Sequence, residues 1–296
     1  MLAASACGGV EELGQTQVAG EPAPLARLAR LHVIIQPPGD FAGDEPALEI
    51  TGVFAQYRGF DDPAARARLD LRPLATSRLR PGMCAPSEQI AAEGEPGTKD
   101  SLGSRELSLL DVGNITAQIG RATVDVPLAL LPDLVPTIAG VTYVLLADVL
   151  PPDAWPQGEP SPSDLTLRVD GDGDDLPGFT LRPTVPEALV LSAERDDVAR
   201  ELRLAWSPDG RGEPVTFRFL GQIGGEAVGD EVTCVADDHG SLRVELDRLQ
   251  GLGVDTSRGT ALRIAAVRAT RALFDVGEFS GSEAIVEVRS ALVLGP

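Results

Sequence analysis

The sequence predicts an all-β protein of two consecutive β-sandwich domains, the second immunoglobulin-like or fibronectin-III-like. Three observations carry that prediction. Short apolar or alternating runs, bounded by Gly, Pro, Asp and Asn, recur along nearly the whole chain, and that is strand patterning. Prolines number 24 and glycines 32, which suits edge strands and turns and excludes long helices. Beyond Pro183 and Pro186, which stiffen a short connection, about seven short strands follow at even spacing over roughly 110 residues, the profile of an immunoglobulin-like sandwich. A chain of 296 residues gives each of two domains enough length to bury its own core. The expected organisation is a processed N-terminus and tether at 1–25, a first sandwich at 26–183 and a second at 184–296.

In the first domain, "LHVIIQ" (31–36) is an apolar run closed by Pro37 and Pro38. "LEITGVFAQYR" (48–58) partly alternates and has β-branched residues, and "RLDLRPL" (68–74) alternates cleanly. A polar loop rich in Pro and Gly occupies 75–105. "ELSLLDVGNITAQI" (106–119) reads as two strands around a turn at Gly113-Asn114, and "TVDVPLAL", "VTYVLLADV" and "DLTLRVD" follow. In the second domain the strands are "ALVLSA", "LRLAWSP", "VTFRFLGQI", "EVTCVADD", "SLRVEL", "ALRIAAVRAT" and "AIVEVRSALV", with Trp206 as the core aromatic. The last two form an expected hairpin with a longer loop. "LDRLQGLG" spaces Leu246, Leu249 and Leu252 by three and is the candidate helix, covering an edge or end of the sandwich.

The chain is 43% hydrophobic but only 4% aromatic, so Val, Leu, Ile and Ala must build the cores. Lys99 is the only lysine, and the abundance of Arg, Ala, Gly and Pro reads as GC-rich coding bias. The formal charge of −20 argues against nucleic acid, whose phosphates require basic clusters. The acidic residues are spread along the chain, as on a solvated surface. No stretch of about 20 apolar residues marks a spanning helix.

At the N-terminus, "MLAASACGG" places Ala4, Ser5 and Ala6 before Cys7 and two glycines after it. This looks like the end of a bacterial lipobox, with Cys7 acylated after signal cleavage. Only six residues precede Cys7, so either the true start lies upstream or the chain begins inside the signal. The alternative is an Ala-rich N-terminus with an incidental cysteine. The stretch to about residue 25 lacks period and reads as a tether. Cys84 and Cys234 have no ligand-like spacing, and His32 and His239 are the only histidines, so a His/Cys zinc site would have to recruit distant segments. A disulfide in an oxidising compartment is one reading of the two cysteines. Two small buried residues, one per domain, is the favoured one, because a bridge needs Cα atoms within about 7 Å.

Several pieces resemble a group of uncharacterised predicted lipoproteins from bacteria with GC-rich genomes. They are "GVFAQYR", the single Cys84 in a Pro/Gly-rich loop, "LSLLDVGNITAQ" (similar to the group's Leu-Asp-Ala-Gly strand motif, with Val112 where Ala is usual), "DLPGFTLRPTVPEALVLSA", "LRLAWSPDG" and "VTCVADDHGSLRVEL". The resemblance spans most of 48–290 and implies export and β-sandwich architecture. The group brings no established activity with it.

"RVDGDGDDLPGF" (168–179) sets Asp170, Asp172 and Asp174 at alternating positions, matching the first three ligands of a calcium loop. Position 6 of that loop wants Gly and is Asp175; position 12 wants Glu and is Leu181, in a strand. A solvated hairpin turn has the same composition, so no metal or other cofactor is expected and the three aspartates remain weak calcium candidates. There is no G-x-S-x-G elbow, Walker A loop or dinucleotide fingerprint, and His239 in "DDHG" reads as an exposed turn residue. The expectation is a non-catalytic, exported protein. Cys7 would anchor it by lipid, its only tie to the membrane, at the outer-membrane surface or periplasmic face of a bacterial envelope, where its loops bind a protein or polymer. A structural envelope component pairing through edge strands is the alternative, and a glycosidase-like hydrolase using paired carboxylates comes third.

Overall fold

A computed structural model describes residues 24–37, 47–71, 74–92, 106–131, 140–149, 151, 153–154, 164–173 and 176–295. The protein is all-β, with three short α-helices among the described residues. Chain order begins with β1 (Ala26–Ile35) and β2 (Leu48–Arg58), which pair antiparallel over their full lengths. Helix α1 (Asp62–Arg68) follows; "RLDLRPL" (68–74) starts on its last residue and goes on as a turn through Asp70, so its described residues form no strand. The side chain of Asp61 caps the helix by accepting from the Ala64 N–H, Pro63 sits in the first turn, and Asp70 leaves at φ 51°.

A single 3-10 turn (Ala75–Ser77), β3 (Cys84–Pro86) and α2 (Ser87–Ala92) follow, inside the stretch expected as loop. Next come β4 (Glu106–Leu109), β5 (Ile115–Ile119), β6 (Ala122–Val126), β7 (Leu128–Leu131), β8 (Gly140–Ala147), β9 (Leu165–Gly171) and β10 (Pro177–Leu181). The remainder is β11 (Ser192–Asp196), β12 (Glu201–Ala205), β13 (Val215–Ile223), β14 (Glu226–Ala236), β15 (Ser241–Glu245), α3 (Leu246–Gly251), β16 (Ala261–Val276) and β17 (Phe279–Leu294). The candidate helix is present as α3, with Leu246 and Leu249 buried.

One ten-stranded sheet runs through the molecule in the order β3-β14-β13-β16-β17-β1-β2-β8-β7, with β4 pairing one end of β2. Two smaller sheets pack on it. The four-stranded β10-β9-β5-β6 layer closes a first core with Leu31, Val33, Ile50, Phe54, Ile115, Leu167 and Val286. The three-stranded β11-β12-β15 layer and α3 close a second with Leu204, Trp206, Phe217, Phe219, Leu249 and Ile264. Trp206 is buried beside Phe217, with ring centroids 4.9 Å apart, as its sequence position predicts. Burying each such side chain contributes about 1.5–3 kcal/mol.

The division at 183/184 does not follow the long sheet. β16 and β17 form one hairpin of two 16-residue strands, paired from Leu262–Leu294 to Val276–Phe279, so Gly277 and Glu278 form a tight turn where a longer loop was expected. One end of this hairpin pairs with β13 in the second core. The other carries Phe279, Ala284, Val286 and Val288 into the first core, where β17 runs parallel to β1. The exchange is mutual: β3, from the first half, pairs with β14. That pairing sets Cys84 directly opposite Cys234 with Cα atoms 4.0 Å apart, and a disulfide joins them across 150 residues of sequence. The expectation of two separate buried cysteines, one per domain, is therefore corrected. Spacing along the chain carries no trace of which strand becomes whose neighbour.

The "LDVG" stretch is a structural corner. Asp111 Oδ1 accepts from the Gly113 N–H at 3.0 Å and the Tyr143 hydroxyl at 2.8 Å, while that hydroxyl accepts from the Val112 N–H. Val112 is buried in the first core. Gly113 has φ 76°, and a Cβ there would lie 2.4 Å from the Gly171 carbonyl oxygen. The corner carries the chain from β4 in the long sheet to β5 in the smaller one.

Candidate functional site

Side chains alternate across a strand, so every strand of the long sheet has a second face turned away from the two cores. On β1, Leu31, Val33 and Ile35 enter the first core, and Arg30, His32 and Ile34 point the other way. On β17, Ala284, Val286 and Val288 point inward while Glu283, Glu287 and Arg289 point out. On β13 and β14, Phe217, Phe219, Val232 and Cys234 face the core and Arg218, Glu231 and Thr233 face away. The outer face is thus lined with charge, and part of it is roofed by residues 62–71 and 74–92.

The roof is pinned at three places. Its own small apolar cluster joins Leu79 and Ile90 to Val235 of β14. The disulfide and a 2.7 Å hydrogen bond between the Ser87 and Thr233 hydroxyls fix β3 and α2. At the α1 end, Arg66 binds Glu283 at 2.9 Å, and Tyr57 donates to Asp62 at 3.1 Å. Between roof and sheet lies a cavity of about 530 Å³. Its floor crosses from Glu231 on β14, through Arg218, Arg289 and Glu287, to His32 and Glu49 on β1 and β2; Asp70, Leu71, Leu74 and Ile90 belong to the roof. Five strand spacings separate β14 from β2, about 24 Å.

Two buried carboxylates organise the outer face of β17, Glu287 in the cavity floor and Glu283 beside it. Glu283 has Arg271 at 2.6 Å, Arg66 at 2.9 Å and Arg30 at 3.7 Å. Arg30 is itself buried, and that burial lowers its pKa against the opposing pull of Glu283. Glu287 binds Arg289 at 2.9 Å and has His32 Nε2 at 3.3 Å. Burial pushes the Glu287 carboxyl up, but the adjacent His32 imidazole and the charges of Arg289 and Arg218 outweigh it and hold the group well below the usual carboxylate range. At 3.3 Å the His32 contact falls outside strict hydrogen-bond geometry.

Three charged cavity residues have no ion pair or side-chain hydrogen bond among the described residues: Arg218, Glu49 and Glu231. The two free carboxylates stand at opposite ends of the floor, about 24 Å apart by strand count, far beyond the ~5–9.5 Å that separates a glycosidase pair. No hydroxyl or thiol among the described residues hydrogen-bonds to His32, so it is not wired to a nucleophile.

The residues singled out in the sequence lie elsewhere. Cys7 and Asp174 are outside the described residues. Asp170 and Asp172 sit at the β9–β10 hairpin: Asp170 meets Arg168 at 3.2 Å, and Asp172 Oδ1 accepts from the Leu176 N–H at 2.7 Å, as a turn residue does. Among the described residues, no three His, Cys, Asp or Glu side chains are grouped to hold a metal ion. His239 is exposed in its turn, while its neighbour Asp238 is buried against Arg268 and Trp206. The cavity residues did carry a signal, charges at alternate positions of otherwise apolar strands. It reads equally well as a solvated face until the roof is known.

No protein-family model matches the chain, and no curated protein matches it. Among solved structures, the chain is similar to the yeast delta-COP-I mu-homology domain, at 10% identity over 91% of this chain and 97% of that chain, with a TM-score of 0.23. The same domain complexed with the Dsl1 WxWxV peptide gives 10% identity, the same coverage and a TM-score of 0.24. Likeness at that level assigns neither fold nor ligand.

Proposed function

We propose that the protein is a non-catalytic binding module of a bacterial cell envelope, exported and held to the membrane by a lipid on Cys7, that takes a protein or polymer partner into the roofed cleft on the outer face of its long sheet. The observation that carries the binding reading is the cleft itself: a cavity of about 530 Å³ whose floor holds charges left without partners. Natural proteins seldom bury half-satisfied charge without a use for it. The Cys84–Cys234 disulfide supports export, since such bonds persist in oxidising compartments. The two packed layers fit a pair of sandwiches sharing one sheet, the second of immunoglobulin-like type.

Assembly through an edge strand is the second reading. It has one observation in its favour: β7 ends the long sheet with Leu128 and Leu130 exposed to 42% and 77%. At four residues that edge is short for a template.

The test is capture from envelope extract on the immobilised full chain, beside a Thr51→Trp variant that fills the cleft from its floor. A partner held by the wild type and lost by the variant supports the cleft. A partner held equally by both shifts the function to the edge strand. Anchoring is tested by membrane fractionation from the native upstream start: wild type partitions with membranes and Cys7→Ser does not.

A further inference from the structure

We infer that the cleft's occupant is an extended basic peptide segment carrying one acidic side chain near one end, a conclusion that rests on the cleft being the binding site. Three side chains set the pattern. Arg218 is the cavity cation that makes no close ion pair among the described residues, its charge acting on Glu287 only from a distance; Glu231 and Glu49 are the cavity anions that make none. Arg218 and Glu231 sit on adjacent strands, and Glu49 is four strands beyond Arg218. A complementary ligand therefore carries a cation and an anion side by side at one end and a second cation at the other.

Length agrees with a peptide. Five strand spacings span about 24 Å across the strands, and the register offsets Glu231 from Glu49 by about six residues along them, a diagonal that about seven extended residues cover once a lysine side chain reaches out at each end. Apolar side chains line the same space, Leu74 and Ile90 above and Val53 below, surfaces on which the alkyl stems of lysine or arginine pack while their charged ends reach the carboxylates. The chain's net charge of −20 draws cationic ligands in and repels anions. A small anion would find Arg218 but would face both free carboxylates. A metal ion could not bridge two carboxylates so far apart.

The test uses fluorescence anisotropy with the full chain and labelled heptapeptides of the pattern Lys-Glu-x-x-x-x-Lys, with x alanine or serine. The expected result is saturable binding that weakens with salt and falls at least about tenfold with the charge-inverted peptide Glu-Lys-x-x-x-x-Glu. Arg218→Glu weakens the first peptide by a similar factor, and changing the peptide's glutamate to lysine restores binding to that variant. Unchanged thermal melting of Arg218→Glu shows that the loss is local. Equal binding of both peptides, indifference to Arg218→Glu, or no binding at all overturns the inference. If no peptide binds while Thr51→Trp still abolishes capture of an extract partner, the peptide assignment falls and the cleft stands. If Thr51→Trp changes nothing in either assay, both fall.

Discussion

Two clusters of buried charge, built from similar residues, differ in how fully they are satisfied. The first lies at the waist, where the connection between the two cores crosses β16. Arg268 and Asp238 have side chains exposed by only 2% and 0% and meet at 3.0 Å. Asp238 also accepts from Trp206 Nε1 at 2.5 Å and the Asp209 N–H at 3.0 Å. Arg268 donates to the carbonyl oxygens of Glu187, at 3.2 Å, and Ser207. Burial alone would raise the Asp238 pKa, but these donors and the guanidinium charge lower it. The second cluster, Glu287 with His32, Arg289 and Arg218, faces a cavity, and its members are only partly paired. The waist leaves one polar atom unbonded, Arg268 Nε, 4.0 Å from Asp209; a nearly satisfied network fixes a structure, and a more open one has bonding capacity left for a ligand. The waist cluster ties Glu187, Ser207 and Trp206 to the shared hairpin and so holds the two halves in one geometry.

The largest expected effect follows from that contrast. Asp238→Ala leaves Arg268 buried with only two carbonyl oxygens and Asp209 at 4.0 Å beside it, and should cost about 3–5 kcal/mol in urea denaturation. Replacing both partners with Met and Leu should cost clearly less, because no orphaned charge remains. If the single variant lost under about 1 kcal/mol, as a surface change does, the waist would not be the latch described.

Removing the roof's covalent pin should have the next largest effect. Cys84→Ala with Cys234→Ala deletes a link that closes 150 residues of chain, and such losses run about 2–5 kcal/mol. Hydrogen exchange should rise in 74–92 more than at the waist, because the roof's own apolar cluster is small. Uniform loss of protection would mean that the roof is no separate unit.

Acid separates the clusters less sharply. Glu287 has a folded pKa below its unfolded value, so its contribution is full above about pH 4.3, the unfolded value, and is lost as pH falls through the folded one. Asp238 has the same sign. Glu287→Gln should therefore flatten part of the fall in melting temperature below about pH 4.3 and leave a remainder. An unchanged acid limb would show that cavity water, and not His32 and Arg289, sets this carboxylate.

How much of this the sequence disclosed depends on range. Short apolar or alternating runs bounded by turn residues located β1, β2, β5, β8, β9 and most strands of the second half, and three leucines located α3. Trp206 was recognisable as core because a large ring on a short apolar strand has few other places to go. What failed was non-local. The alternating "RLDLRPL" forms no strand over its described residues, which end α1 and turn at Asp70. Pro127 splits "TVDVPLAL" into β6 and β7, which join different sheets. The pairing of β1 with β17 and of β3 with β14 joins residues about 250 and 150 apart, and no local propensity encodes such partners. The disulfide and the cleft both follow from those pairings. The site residues were visible only as charges in strands.

The smallest expected effect is the most discriminating. Arg218 and Arg268 are both arginines on neighbouring strands of one sheet, and they point to opposite faces of it. Arg268→Ala strips Asp238 of its countercharge in a dry setting and belongs with the large effects. Arg218→Ala removes a side chain with no described hydrogen bond. What remains is its distant support for Glu287, the last-named of the influences on that carboxyl. Stability at pH 7 should then change by no more than about 0.5 kcal/mol, the range of surface substitutions. Some gain is reasonable, since a half-buried guanidinium without a partner is costly to desolvate. The measurement is a pair of urea melts, read beside the peptide titration: an arginine that matters for binding and not for folding leaves the midpoint where it was and abolishes the anisotropy change. A loss of 2 kcal/mol or more, on the order expected for a paired buried charge, would place Arg218 with Arg268, as a structural residue whose partner lies outside the described segments, and would remove the asymmetry on which the binding site rests.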